Sequence, residues 1–266
     1  MTDSIAISLT GLVAVSIMMT TGWGISVVRK NVNIVDSLWG LGFVLIALIT
    51  GWRSDGYAAR NFLVMGMTAV WGLRLAIYLT WRNWGRPEDH RYGAWRDKSG
   101  DSFWWVSLLK VFWLQAIFLW TISLVLQKAL LSPLPDRLTL LDILGVALWV
   151  VGFFFEAVGD FQLARFKADP ANQGRVMDQG LWALSRHPNY FGEFLIWWGF
   201  FLVALATPSG WWTAVCPVIV SLVLLKMTGV PLTEAALKQR RPDYQAYIQR
   251  TSVFFPRPPK DKRKAP

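Results

Sequence analysis

The sequence predicts an all-α protein, a polytopic bundle of seven membrane-spanning helices. Hydrophobic residues make up 54% of the 266 residues, and seventeen residues are tryptophan. This composition is far from that of a soluble domain and is typical of a membrane protein. Seven apolar segments approach the roughly twenty residues that a helix needs to cross a bilayer. They are Ile5–Val28, Leu38–Trp52, Phe62–Leu79, Phe103–Leu126, Leu138–Phe155, Phe191–Thr207 and Trp211–Val230.

The charges between these segments predict their orientation. The formal net charge is +10, and basic residues concentrate in the first, third and fifth loops and in the C-terminal tail. By the positive-inside rule, the N-terminus lies outside and the C-terminus is cytosolic. Because topology accounts for the positive charge, no nucleic-acid partner is expected.

The remaining composition limits the classes of site. One cysteine, Cys216, lies in an apolar run and only two histidines are present, so no metal site is expected. No glycine-rich dinucleotide motif or P-loop occurs, so the membrane helices would have to bind any nucleotide. We expect one transmembrane domain over residues 1–255, which includes a short interfacial helix within Thr233–Arg250. A basic, disordered tail is expected over residues 256–266.

The stretch Gly180–Gly199, GLWALSRHPNYFGEFLIWWG, is a polar loop that leads into a membrane helix. Pro188 fits the first helical position, and Asn189 and Glu193 then share one helical face. A helix N-terminus attracts anions, and Arg186 adds a full positive charge. We therefore expect an anionic ligand here; the alternative is an interfacial cap whose basic side chains meet only lipid headgroups. The polar residues of the stretch are Ser185, Arg186, His187, Asn189, Tyr190 and Glu193.

Polar residues also recur on single faces of three predicted spans, where each is costly and is a functional hypothesis by default. The third span has a stripe of Trp71, Arg74, Tyr78 and Arg82, the fifth has Glu156, Asp160 and Lys167, and the second has Asp36 and Trp39. The faces end at the same predicted membrane side, which indicates a cavity open to the cytosol. For any single residue the alternative is a structural ion pair between helices, such as one from Arg74 to Asp160 or Glu156.

Three motifs resemble the steroid 5α-reductase family, in its bacterial branch of uncharacterised integral membrane proteins. They are GLW followed by SRHPNYFGE, the NWGRP loop at residues 83–87, and YIQRTSVFFP near the C-terminus. The resemblance covers nearly the whole chain. It implies a protein of the bacterial inner membrane with seven spans and a cytosol-facing NADPH pocket. It also implies hydride transfer to a carbon–carbon double bond conjugated to a carbonyl.

The resemblance also implies roles for individual residues. The NADPH contacts that it implies are Arg74, Asn83, Arg86, Asp160, Lys167, Arg175, Asn189, Glu193 and Arg250. Further candidate cofactor contacts are Arg186, His187, Tyr190 and Glu234.

The catalytic positions depart from the family pattern. In the animal steroid reductases a glutamine–glutamate pair on the second span and a tyrosine on the third polarise the substrate carbonyl. Here these positions are Val35–Asp36 and Trp71. Asp36 is then the candidate acid, assisted by Tyr78 or by the indole N–H of Trp71. These departures affect the expectation of a steroid substrate more than that of the cofactor.

Three functions remain open at the level of sequence. The first is an NADPH-dependent reductase of an apolar enone, steroid-like or another lipid. The second is an S-adenosylmethionine-dependent methyltransferase, because the RHPNY helix start with a later glutamate also resembles the isoprenylcysteine carboxyl and phospholipid methyltransferases; His187 and Glu234 fit that pattern. The third is a non-enzymatic lipid-binding protein or a transporter. The expected partners are a lipid-like substrate and membrane lipids, with no obligatory protein partner.

Overall fold

The structure is a computed structural model that describes residues 2–260, with the backbone alone for Thr2 and Arg91. The described residues form helices and connecting loops, with no strand among them. The α-helices are α1 (Thr2–Arg29), α2 (Ile34–Arg53), α3 (Ala58–Asn83), α4 (His90–Ser99), α5 (Phe103–Ser107), α6 (Leu114–Leu131), α7 (Leu140–Ala168), α8 (Leu181–Leu184), α9 (Pro188–Leu205), α10 (Val215–Leu222), α11 (Val230–Arg240) and α12 (Tyr244–Arg250). Short 3₁₀ and π-helical turns join several of them, including π turns at Leu108–Trp113 and Val223–Met227.

Six helical segments of the described chain are long and apolar enough to cross a membrane. They are Asp3–Arg29, Ile34–Arg53, Ala58–Asn83, Tyr92–Leu131, Leu140–Ala168 and Gly210–Arg240. The chain is therefore a polytopic, all-helical integral membrane protein. The remaining predicted span corresponds to α9, which has eighteen residues and a polar first turn. The number of seven spans and the orientation of the termini stay predictions.

Two helix bounds differ from those that the hydropathy pattern predicts. The span predicted as Leu138–Phe155 continues as α7 to Ala168, because its polar second half has no helix breaker before Pro170. The interfacial helix predicted within Thr233–Arg250 is divided into α11 and α12. The division falls at Arg241, which is extended because the residue before a proline disfavours the helical region.

The described chain divides into two compact units. The first contains α1 to α6 with the segment Ala204–Thr213, and the second contains α7, α8, most of α9, and α10 to α12. The predicted domain at residues 1–255 remains a prediction. Of the predicted tail, residues 256–260 are described and residues 261–266 lie outside the described residues.

In the first unit, α2 packs against α1, α3 and α6. Gly40 and Gly72 bring the backbones of α2 and α3 together, since a Cβ on Gly72 would lie 2.7 Å from the Gly40 carbonyl oxygen. The buried rings of Phe43 and Trp71 pack beside this contact, with centroids 5.6 Å apart. This packing fixes the register of α3 on α2 and so sets which polar residues meet at their ends.

In the second unit, α7 and α9 meet along a seam of glycines. A Cβ on Gly145 would lie 2.7 Å from the Gly199 carbonyl oxygen, and one on Gly152 would lie 2.6 Å from that of Gly192. Small residues allow such close approach of helices in a membrane, where packing replaces the hydrophobic effect as the main attraction. The seam brings the first turn of α9 against the polar half of α7.

We predict that Gly199→Leu destabilises the protein by at least about 2 kcal/mol, because the added side chain meets backbone that has no room to move. Thermal unfolding of the detergent-purified protein measures the effect. Gly24→Leu is the matched control, since a Cβ on Gly24 has no atom within 4 Å. Equal unfolding temperatures for the two variants would show that the glycine seam is not required.

Candidate functional site

The structure collects many of the predicted site residues into two clusters, one in each unit. The α3 cluster consists of Asp36, Arg74, Tyr78, Arg82 and Asn83. The α9 cluster consists of Asp160, Arg186, His187, Asn189, Tyr190 and Glu234. Each cluster is described separately below.

In the α3 cluster, two arginines flank one tyrosine on a single helix. The guanidinium carbons of Arg74 and Arg82 lie 6.0 and 5.9 Å from the centroid of the Tyr78 ring. Residues four apart lie on the same helical face, so the spacing of 74, 78 and 82 places the three side chains in a row. We call this row the ladder of α3. Cation–π attraction contributes to holding the three side chains in line. The polar stripe predicted on this helix is therefore present.

Asp36 on α2 connects to the end of this ladder. Its Oδ2 atom accepts a hydrogen bond from Asn83 Nδ2 at 3.2 Å and lies 3.7 Å from Arg82 Nη2. Both partners are donors, so Asp36 acts in these contacts as a hydrogen-bond acceptor that positions Asn83. Its predicted role as an acid stays a prediction.

The loop that follows Asn83 is anchored to the turn between α1 and α2. Asn31 Nδ2 donates to the Arg86 carbonyl at 3.3 Å, and Asn33 Nδ2 donates to the Pro87 carbonyl at 3.0 Å. The Asp89 backbone N–H donates a hydrogen bond to Asn33 Oδ1 at 2.9 Å. These contacts hold the NWGRP loop in one conformation over the start of α2.

Sequence reasoning missed Asn31, Asn33 and Glu88. Glu88 accepts from the Val32 backbone N–H at 2.8 Å and forms a 2.8 Å ion pair with Arg96. The sequence offered one signal for them: the Asn-x-Asn turn directly before a predicted span, because asparagine side chains bond readily to nearby backbone. That signal does not indicate which distant loop the side chains would bind.

The anchored loop forms one wall of a polar cleft of about 550 Å³. Its polar lining includes Arg29, Asn31, Asn33, Ser37, Asn83 and Arg86. Cationic and amide side chains in one cleft suit a ligand that carries both negative charge and hydrogen-bonding groups. Trp71, by contrast, is fully buried against Phe43.

In the α9 cluster, Arg186 is engaged by the protein itself. Its Nε donates to Glu234 Oε1 at 2.7 Å, and its Nη1 donates to the Thr251 carbonyl at 2.7 Å and the Ile248 carbonyl at 3.2 Å. Its backbone N–H donates to the Ser252 carbonyl at 2.8 Å. Arg186 is only 9% exposed. The side chain therefore fastens the chain around the end of α12 to the start of α9, a role that the sequence did not indicate.

His187 is buried within the same cluster. Its Nε2 atom lies 3.4 Å from Glu234 Oε1, and its ring stacks on Tyr190 with centroids 5.4 Å apart. Burial lowers the pKa of His187 and outweighs the opposing effect of the Glu234 carboxylate, while the Arg186 charge lowers it further. The imidazole is consequently neutral at pH 7.

Asn189 and Asp160 meet where α9 begins. Asn189 Nδ2 lies 3.2 Å from Asp160 Oδ1, and Asp160 is buried. The Trp182 indole N–H donates to the Gly159 carbonyl at 3.0 Å, which ties α8 to this end of α7. Helix α9 begins at Pro188, which confirms the predicted helix start.

Three further candidates of the second unit are basic residues. Lys167 and Arg175 are exposed, and Arg250 forms an ion pair with Asp178. The structure also places Arg241, which the sequence did not single out, next to the turn at Gly174. The basic residues nearest to that turn therefore come from two distant parts of the sequence.

We predict a pH dependence of stability from His187. Its folded-state pKa lies below the ordinary value of about 6.5, so its contribution is fully present above pH 6.5. As the pH falls below 6.5, the unfolded chain binds a proton that the folded protein does not, and stability falls by about 1.4 kcal/mol per pH unit until the folded pKa is reached.

Thermal unfolding between pH 8 and pH 5 measures this effect. In His187→Gln the stability should fall less as the pH decreases. In His90→Gln, which changes an exposed histidine, it should fall as it does in the wild type. Parallel pH profiles for the wild type and His187→Gln would contradict the assignment.

Comparison with known proteins places the chain in a family. Residues 22–251 match DUF1295, which is described as a protein of unknown function. An uncharacterized protein of Schizosaccharomyces pombe, C594.04c, is 28% identical over 276 residues, covering 93% of this chain and 79% of that protein. No solved structure matches the chain. The family match spans most of the chain and includes the residues of both clusters. This integral membrane protein is therefore a member of the DUF1295 family.

Proposed function

We propose that the protein is a membrane-embedded, NADPH-dependent reductase that transfers a hydride to the carbon–carbon double bond of an apolar enone. The observation that carries the proposal is the ladder of Arg74, Tyr78 and Arg82 along α3, which ends at Asn83 and Asp36. Charged side chains within a membrane span are rare, and they commonly mark binding sites or transfer pathways. Two arginines that flank a tyrosine on one span favour binding over simple packing.

The proposal also draws on the resemblance of the sequence motifs to the steroid 5α-reductase family. The donor and acceptor set of this chain fits NADPH. Cationic side chains suit the phosphates, and amide and carboxylate side chains suit the ribose hydroxyls and the nicotinamide amide. The resemblance implies cofactor contacts within each unit: Arg74, Asn83 and Arg86 in the first, and Asp160, Lys167, Arg175, Asn189, Glu193 and Arg250 in the second.

The bound cofactor supplies the hydride, and the protein supplies orientation and exclusion of water. A donor O–H or N–H must also stabilise the negative charge that develops on the carbonyl oxygen. Of the three predicted catalytic residues, we assign this donation to the Tyr78 hydroxyl. We assign Asp36 to the positioning of Asn83, which it already contacts, and Trp71 to packing, because its ring is fully buried.

A second candidate, an S-adenosylmethionine-dependent methyltransferase, is favoured by one observation. His187 and Glu234, the residues that fit that resemblance, lie 3.4 Å apart in the α9 cluster. In this fold the pair is buried and also contacts Arg186, so a structural role accounts for it equally well. Direct comparison of the two cofactors separates the candidates.

We predict that NADPH raises the thermal midpoint of the detergent-purified protein and that S-adenosylmethionine does not. Glu193→Ala should weaken NADPH binding by roughly ten-fold or more, as expected for loss of one hydrogen bond to a charged group, and Asn189→Ala should weaken it by roughly five-fold, as expected for a neutral one. Gln239→Ala, at an exposed position on α11, is the control. Unchanged NADPH affinity in both site variants would contradict the proposed cofactor site. A rise in the thermal midpoint with S-adenosylmethionine alone would favour the second candidate.

We predict different effects for the two candidate catalytic residues. Tyr78→Phe keeps the ring between the two arginines but removes the hydroxyl, so kcat should fall by roughly 10²–10⁴ with NADPH affinity retained. Asp36→Asn should weaken NADPH binding and reduce kcat less. NADPH oxidation with a panel of lipid enones measures both variants. A larger loss of kcat in Asp36→Asn than in Tyr78→Phe would restore Asp36 as the proton donor.

A further inference from the structure

The lipid-accessible side of the first unit has a groove that the reductase proposal does not use. It has a volume of about 720 Å³ and is lined by Leu41, Leu73, Ala76, Ile77, Thr80 and Trp81. Ile77 and Trp81 are 69% and 63% exposed. The small residues Gly40, Gly72 and Ala76 lie where α2 and α3 touch. Because small residues leave the seam between the helices recessed, the larger side chains around them enclose a concave apolar surface.

This groove is continuous with the polar cleft beside the NWGRP loop. Leu41, Thr80 and Trp84 line both. Trp84 follows the end of α3, and the Arg29 guanidinium lies 5.8 Å from its ring centroid. Tryptophan is enriched at the boundary between the bilayer and water. The joined depression is therefore apolar along α3 and polar at the level of the membrane interface.

The polar end has an excess of positive charge. Arg29 and Arg86 line it, and Arg82 stands at the end of α3. The acidic groups nearby are already engaged, since Asp36 contacts Arg82 and Glu88 pairs with Arg96. The amide side chains of the cleft add hydrogen-bond donors. A ligand that matches this surface has an anionic head and a long apolar body.

We propose that this joined depression, the α2–α3 groove, binds an anionic phospholipid. Its acyl chain lies against Leu73, Ile77 and Trp81, and its phosphate lies at the end lined by Arg29. Charge selects an anionic over a zwitterionic headgroup, and the apolar lining along α3 favours an occupant with an acyl chain over a free phosphate. This site goes beyond the proposed reductase activity, but its polar end includes Asn83 and Arg86, two of the proposed cofactor contacts, so its test is made without nucleotide.

Lipid binding to the full-length protein tests the proposal. Native mass spectrometry of the detergent-purified protein, in the absence of nucleotide, compares phosphatidylglycerol with phosphatidylcholine of the same acyl chains. We expect phosphatidylglycerol to bind about five-fold more tightly, the contribution typical of one basic residue near a membrane surface. Arg29→Gln should reduce this preference for phosphatidylglycerol, and Arg29→Lys should keep it. Arg53→Gln, at the opposite end of α2, is the control and should also keep it.

A second pair of variants tests the apolar part of the groove. Leu73→Trp places a large ring in the groove and should weaken binding of both lipids, whereas Val70→Trp adds the same ring at an exposed position of α3 outside it. The thermal midpoint of each variant verifies folding. Equal binding of the two lipids to the wild type, or equal effects of Arg29→Gln and Arg53→Gln, would overturn the proposal. Equal effects of Leu73→Trp and Val70→Trp would also overturn it.

Discussion

The close approach of α7 and α9 along their glycine seam determines the arrangement of the second unit. Apolar helix faces gain little from each other in a bilayer, because lipid tails are as apolar as the side chains. Contact between backbones at Gly145 with Gly199, and at Gly152 with Gly192, supplies the packing instead. The seam continues to Gly159, which lies against the backbone of Asn189. The packing of these glycines thereby fixes Asn189, at the start of α9, beside the buried Asp160.

Arginines in this protein serve two kinds of role. Arg60 is fully buried and donates to the carbonyls of Pro135 and Arg137, and Arg186 donates to carbonyls around the end of α12. Both close long loops by satisfying backbone acceptors that would otherwise lack a partner. Arg74 and Arg82 instead lie along one face of a span, on either side of Tyr78. The second arrangement places two cations along one face of a helix that is long and apolar enough to cross a membrane.

The sequence predicted much of the fold, because hydropathy and helical periodicity are local signals. The all-helical membrane character, the helix start at Pro188 and the polar stripe of α3 follow from such signals. The partners of Arg186 do not, since Glu234 and Thr251 are far away in sequence and only tertiary packing brings them close. The hydrogen bond from Asn83 to Asp36 is likewise set by the register of α3 on α2. Hydropathy alone marks only the apolar run of α7, whereas the spacing of Glu156, Asp160 and Lys167 on one helical face predicts a helix that continues toward its observed end at Ala168.

The electrostatics at the start of α9 explain what kind of ligand contact this region can make. The positive end of a helix dipole is stabilised by a nearby carboxylate, and Asp160 stands beside the first turn of α9. The charge of Arg186 is matched by Glu234, and His187 is neutral at pH 7. The start of α9 therefore has little uncompensated positive charge for a phosphate. Asn189 is half-buried there, and its amide suits hydrogen bonds with hydroxyl or amide groups.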